Sequence, residues 1–133
     1  MTDQSAPTPP PAPKPKPSVL ILCKDLFFSS QIHGAVQRAG LVGRTCLSMN
    51  GCLDQLQQGG IRDVIVDLEI PDLDLVKLRN EAPSPCRVTV FGPHVKVDLF
   101  EVAKQAGCDA ILTRGQASAK LDALLREWNT DNT

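Results

Sequence analysis

From Ser18 onward, short apolar runs alternate with stripes of helical spacing. Val19-Leu20-Ile21-Leu22-Cys23 is an unbroken apolar run, as expected of a strand covered on both faces in a parallel sheet. Phe28, Ile32, Ala35, Val36 and Ala39 then recur at helical spacing, and Gly40 ends that helix where a left-handed residue is needed. The unit repeats. Leu41 to Leu47 predicts a second strand, Asn50 to Gln58 a short helix with Leu53 and Leu56 inward, and Gly59-Gly60 its stop. Val64-Ile65-Val66 predicts a third buried strand, and Asp74 to Arg79 a weakly patterned helix that Pro83 and Pro85 close off. Arg87 to Phe91 is the fourth strand, followed by a helix from about Val95 to Ala106 with Leu99, Val102, Ala103 and Ala106 inward and Gly107 at its end. Ala110-Ile111-Leu112 is the fifth strand. The last helix, Ala117 to Trp128, aligns Leu121, Leu124, Leu125 and Trp128.

Five strand-helix units joined by short connections imply an α/β domain: a parallel sheet with right-handed crossovers and helices on both faces. Loops after the strand carboxyl ends of such sheets meet at a crevice, where a site is expected. The residues there are Cys23, Lys24 and Asp25, then Asp67 to Asp72 with Glu69 among them, then Gly92 to His94, and finally Thr113 to Gly115. The domain is expected over residues 18–128, with 129–133 frayed. Residues 1–17 contain seven of the eleven prolines and end in Pro13-Lys14-Pro15-Lys16-Pro17. That composition cannot bury enough surface to fold, so it reads as a disordered, extended tether, with a ligand for a proline-recognition module as the other reading.

Composition narrows the function. At 133 residues and 42% hydrophobic the chain suits one core. A formal net charge of -1, from 14 basic and 15 acidic residues, provides no field toward nucleic acid or an anionic membrane. No run nears the roughly 18 apolar residues of a membrane span, and the proline-rich start lacks a signal peptide's apolar stretch, so the expectation is a cytoplasmic protein. The five cysteines are scattered and form no CxxC pair, which favours buried free thiols over zinc or redox exchange. Cys23 to Ser29 contains no glycine, against a phosphate-cradling loop, and no appended helix-turn-helix fits after the fifth unit.

The segment Asp63-Val64-Ile65-Val66-Asp67-Leu68-Glu69-Ile70-Pro71 resembles the third strand and following loop of response-regulator receiver domains, where a phosphate-accepting aspartate stands four residues before a proline. Asp67 holds that position. Ala106 to Gly115 is similar to the family's fifth-strand signature, and the order of units matches from Ser18 to Trp128. The resemblance implies a flavodoxin-like, doubly wound five-stranded sheet of order 2-1-3-4-5. It also exposes departures that make the chain an atypical receiver. The paired acids that help hold Mg²⁺ correspond to Cys23 and Lys24, with Asp25 one place along. The phosphate-contacting hydroxyl residue corresponds to Gly92, followed by Pro93. The family's lysine corresponds to Arg114, followed by Gly115, and its switch aromatic to Ile111.

Phosphoryl transfer to a carboxylate needs a hard cation such as Mg²⁺ to neutralise crowding oxygens. Replacing two acids with a thiol and an ammonium removes ligands and adds a competing cation. The expectation is that Lys24, with Arg114, fills the metal position and fixes Asp67, giving a non-enzymatic, cofactor-free binding module. The alternatives are that Lys24 points into water, or that Asp67 still accepts phosphate with Mg²⁺ held by Asp25, Glu69 or Asp72. A Cys23, Asp67 and His94 cluster is a nucleophile or soft-metal reading, and His33 reads as a surface residue. The resemblance implies a protein partner: a histidine kinase, another signalling protein or a second copy of the chain. Val97 and Phe100 fall off the inner stripe of the fourth helix and are the interface candidates, unless Phe100 folds over the core edge and Val97 is a scattered surface residue.

Overall fold

Where every residue of a strand is apolar, both of its faces need cover, and this orders the sheet from its centre outward. In the computed structural model, which describes residues 15–83 and 85–130, β1 (Val19–Leu22) and β3 (Asp63–Asp67) are buried throughout. β4 (Arg87–Gly92) is buried except at Arg87, while β2 (Gly43–Cys46) and β5 (Ala110–Thr113) are only partly covered. All five pair in parallel in the order β2-β1-β3-β4-β5, as the resemblance implied. The register sets Leu22 beside Val66, Val66 beside Val90 and Asp67 beside Phe91, so Cys23, Asp67 and Gly92 all lie at the carboxyl edge. The tail before residue 15 and the last residues, 131–133, lie outside the described residues.

Side chains alternate between two cores, as the two-residue period of a strand requires. On one face Leu20, Leu22, Val64, Val66, Val88 and Val90 meet α2 (Met49–Gln57), α3 (Leu75–Glu81) and α4 (Val97–Ala106). On the other, Val19, Ile21, Ile65 and Phe91 meet α1 (Leu26–Arg38) and α5 (Arg114–Asn129). Gly40 and Gly107, with φ of 78° and 81°, take the left-handed conformation expected after α1 and α4. No helix among the described residues is long and apolar enough to cross a membrane.

Several local expectations give way. Helix α4 starts at Val97 rather than Val95, with no side-chain cap before it. Its inward centre is Ala103, so Val102 is left 53% exposed while Phe100 packs against the core from the opposite flank. Helix α5 starts at Arg114 rather than Ala117, because Thr113 caps it directly: its hydroxyl accepts the Gln116 N–H at 3.1 Å and the Gln116 side chain accepts the Thr113 N–H at 2.9 Å. His33 is half-buried rather than at the surface, with Nε2 hydrogen-bonded to the Thr45 hydroxyl, which also meets Ser29.

Candidate functional site

The crevice at the carboxyl edge is organised around one buried carboxylate and one guanidinium. Asp67 is 4% exposed. Its Oδ1 accepts the Glu69 backbone N–H at 2.9 Å, and its Oδ2 faces the Arg114 Nη2 at 3.4 Å and the Cys23 thiol at 3.8 Å. Arg114 meets two further acids: Nη1 lies 3.7 Å from Asp25 Oδ2, and Nη2 lies 3.6 Å from Glu69 Oε1. Its Cζ sits 5.0 Å from the centroid of the Phe28 ring and 5.7 Å from that of Phe91, and the two rings are themselves 5.0 Å apart. A planar cation that does not deprotonate can satisfy carboxylates with its edge while its face lies on aromatic rings, and a lysine ammonium cannot do both.

The backbone explains why Arg114 is there. As the first residue of α5 it sits where the helix dipole disfavours a cation by about 0.3–1 kcal/mol. Three carboxylates around the guanidinium offset that cost. Asp25 contributes from the other side: its Oδ1 accepts the Phe28 N–H at 3.1 Å as the N-cap of α1, leaving Oδ2 for Arg114. Glu69 is shared as well, since Lys96 Nζ donates to its Oε2 at 2.8 Å. The Lys96 hydrogen bond first, with help from Arg114, holds the Glu69 carboxyl below its ordinary range.

Lys24 does not play the expected part. It is exposed and, among the described residues, forms no ion pair, so Arg114 alone is the cation at Asp67. The proposed cluster of Cys23, Asp67 and His94 does not assemble either, because His94 is exposed in the loop after β4 and, among the described residues, its side chain makes no hydrogen bond. Cys23 is a donor rather than a nucleophile. Burial pushes its thiol up to about 11, and it donates to the Asp25 carbonyl at 3.6 Å as well as to Asp67. Gly92 ends β4 against Leu68, with no hydroxyl to offer, and Ile111 is half-buried against the core.

A divalent ion needs carboxylate oxygens that can converge on one point. Here the Arg114 guanidinium stands in contact with Asp25, Asp67 and Glu69, and Asp72, the third substitute ligand considered, is exposed and lines a groove beside α4 instead. Among the described residues no group of three or more histidine, cysteine, aspartate or glutamate side chains is arranged to hold a metal. The residues present do not fit Mg²⁺. What they can do is fix an anion: a pair at about 4 Å gains on the order of 4 kcal/mol at an effective dielectric near 20, before desolvation reduces it.

No protein-family model matches the chain, and no curated protein matches it. Solved structures do. The receiver domain of NtrX from Brucella abortus is 16% identical with a TM-score of 0.73, covering 85% of this chain and 99% of its own. The fold is that of a receiver domain. A response regulator from Thermotoga maritima gives 18% identity and a TM-score of 0.72 over 87% of this chain and 99% of its own. The receiver domain of the sensor histidine kinase PA1611 from Pseudomonas aeruginosa, solved with magnesium in its active-site cleft, gives 14% and 0.73 over 88% and 100%.

On this receiver fold the two interface candidates separate. Val97 is 62% exposed, whereas Phe100 is half-buried against the core and is not available as a projecting anchor. Three contributors were not read from the sequence as site residues: Phe28 and Phe91, which form the bed under Arg114, and Lys96 on Glu69. Only the placement of Arg114 had a local signal, the Thr113-x-x-Gln116 capping box.

Proposed function

We propose that the chain is a receiver-fold protein of two-component type that works by binding another protein, with Asp67 locked by Arg114 instead of switched by phosphate. The observation that carries this reading is the simultaneous approach of one guanidinium to Asp25, Asp67 and Glu69. An incoming phosphoryl group would meet a carboxylate whose oxygens are already engaged, with Cys23 and Lys24 where acids would be needed and no hydroxyl at Gly92. The structural neighbours are response regulators and a receiver domain of a sensor kinase, which supports a signalling protein, such as a histidine kinase, as the partner.

A switching reading has one observation in its favour: if Arg114 moved out, Asp25, Asp67 and Glu69 would be left around the space it holds. Incubation with acetyl phosphate and Mg²⁺, followed by intact mass and peptide mapping, separates the two. A locked Asp67 gives an unmodified chain. A phosphoryl adduct on Asp67 overturns the lock and establishes the switch.

A further inference from the structure

A groove runs between the β3–α3 connection and α4, distinct from the crevice at Asp67. It encloses about 380 Å³ and is lined by Leu68, Ile70, Leu73, Leu75, Leu99 and Val102, with Asp72 as its polar member. Leu68, Ile70 and Leu75 are buried members of the core, and Leu73 and Leu99 pack on it, so the floor of the groove is the core itself. An apolar side chain entering there would extend that core. Val102 forms an apolar wall that the chain's own packing leaves half in water.

The rim has one sign of charge. Asp72 lines the groove, and Asp98 lies one helical turn before Val102 on the same stripe of α4. Both are exposed, and among the described residues neither forms an ion pair or side-chain hydrogen bond. The nearby cations are turned elsewhere. Lys96 is held by Glu69 and Arg79 by Asp109. Lys77 and Lys104 sit two residues beyond Leu75 and Val102, about 200° around their helices. Asp72 adopts a φ of 60°, the left-handed region that aspartate tolerates better than most residues, which keeps this acid at the groove's edge.

We infer that this groove is the docking surface for an amphipathic helix of a partner protein, one that presents apolar residues at i, i+3 or i+4 and i+7 between flanking lysines or arginines. A trench between two elements suits a helix laid along it, whereas its floor offers no convergent polar groups to orient a small ligand. The acidic rim selects a basic partner and speeds its approach at low salt. The inference rests on reading the chain as a binding module and names the chemistry of its partner.

The test uses the whole chain and a synthetic helical peptide with leucines in that spacing and lysines on both flanks, followed by amide-resolved NMR. Saturable shifts at Leu68, Leu73, Leu99 and Val102 are expected, weakened about tenfold or more by Val102→Asp and by added salt, and absent with a glutamate-flanked control peptide. Asp98→Lys, at an exposed position, serves if Val102→Asp fails to fold, and should weaken binding in the same direction. Shifts centred elsewhere, undiminished binding in both variants, or equal binding of the control overturn the inference. So does self-association abolished by Val102→Asp, which assigns the groove to a second copy. The acetyl phosphate result does not depend on this groove, so the Asp67 lock can fail or survive separately.

Discussion

The two ends of β3 each bury an aspartate, and the chain treats them differently. Asp63, at the amino edge, is 1% exposed, and its Oδ2 accepts from the Asn129 side chain at 3.1 Å while Oδ1 has no hydrogen-bond partner among the described residues. Burial, more than any neighbour, raises its carboxyl above the ordinary 3.8. Asp67, four residues along, has both oxygens engaged by a backbone N–H, a guanidinium and a thiol. A buried carboxylate with one directed donor and burial as its main influence is a cost carried by the fold, whereas one surrounded by several directed donors is held in one place. The second is a prepared position, and the cation that fixes its geometry, Arg114, comes from the chain's own sequence.

The largest effect should come from the ring beneath the lock. Phe91→Ala removes a fully buried side chain and half of the bed under Arg114, and should lower unfolding free energy by about 3–5 kcal/mol in a denaturant titration. Next, Arg114→Ala strands Asp67 and should cost about 1–3 kcal/mol, reduced from the fully buried limit because the guanidinium is partly exposed. In an Asp67→Asn background the same change should cost much less. Equal costs in both backgrounds would mean that Arg114 does not act through Asp67.

Asp63→Asn should run the other way. A folded carboxyl raised above 3.8 stores a penalty that is absent below that value and sets in as pH rises through the folded one. The variant and the parent should therefore agree in acid, with the variant equal or more stable by up to about 1 kcal/mol at neutral pH. Glu69→Gln should be the smallest change, under about 1 kcal/mol, because the pair with Lys96 is largely exposed. Its carboxyl is depressed below 4.5, so its contribution is complete above that value, disappears as pH falls through the folded one, and should also shrink in salt.

The fold was legible because buried parallel strands are written as unbroken apolar runs: Val19 to Leu22 and Val64 to Val66 admit little else between helical stripes. The phase of α4 was less so. Leu99, Val102, Ala103 and Ala106 look equally apolar in sequence, yet the neighbouring α3 leaves a groove and Val102 stands at its wall. At the site, the sequence showed that a cation had entered, but both Lys24 and Arg114 were within plausible reach of Asp67. Two features decided between them, one distant and one local: the rings of Phe28 and Phe91, brought together from α1 and β4, and the cap at Thr113, which starts α5 at Arg114 itself.

The lock is tested most directly by titrating the chain with beryllofluoride and Mg²⁺ while following the Asp67 and Glu69 amides and the Arg114 side-chain N–H by NMR. A guanidinium-held Asp67 predicts no saturable change at these groups, with Arg114 remaining in contact with its carboxylates. A saturable shift centred on Asp67, accompanied by release of Arg114, would contradict it and show that the crevice still accepts a phosphoryl group.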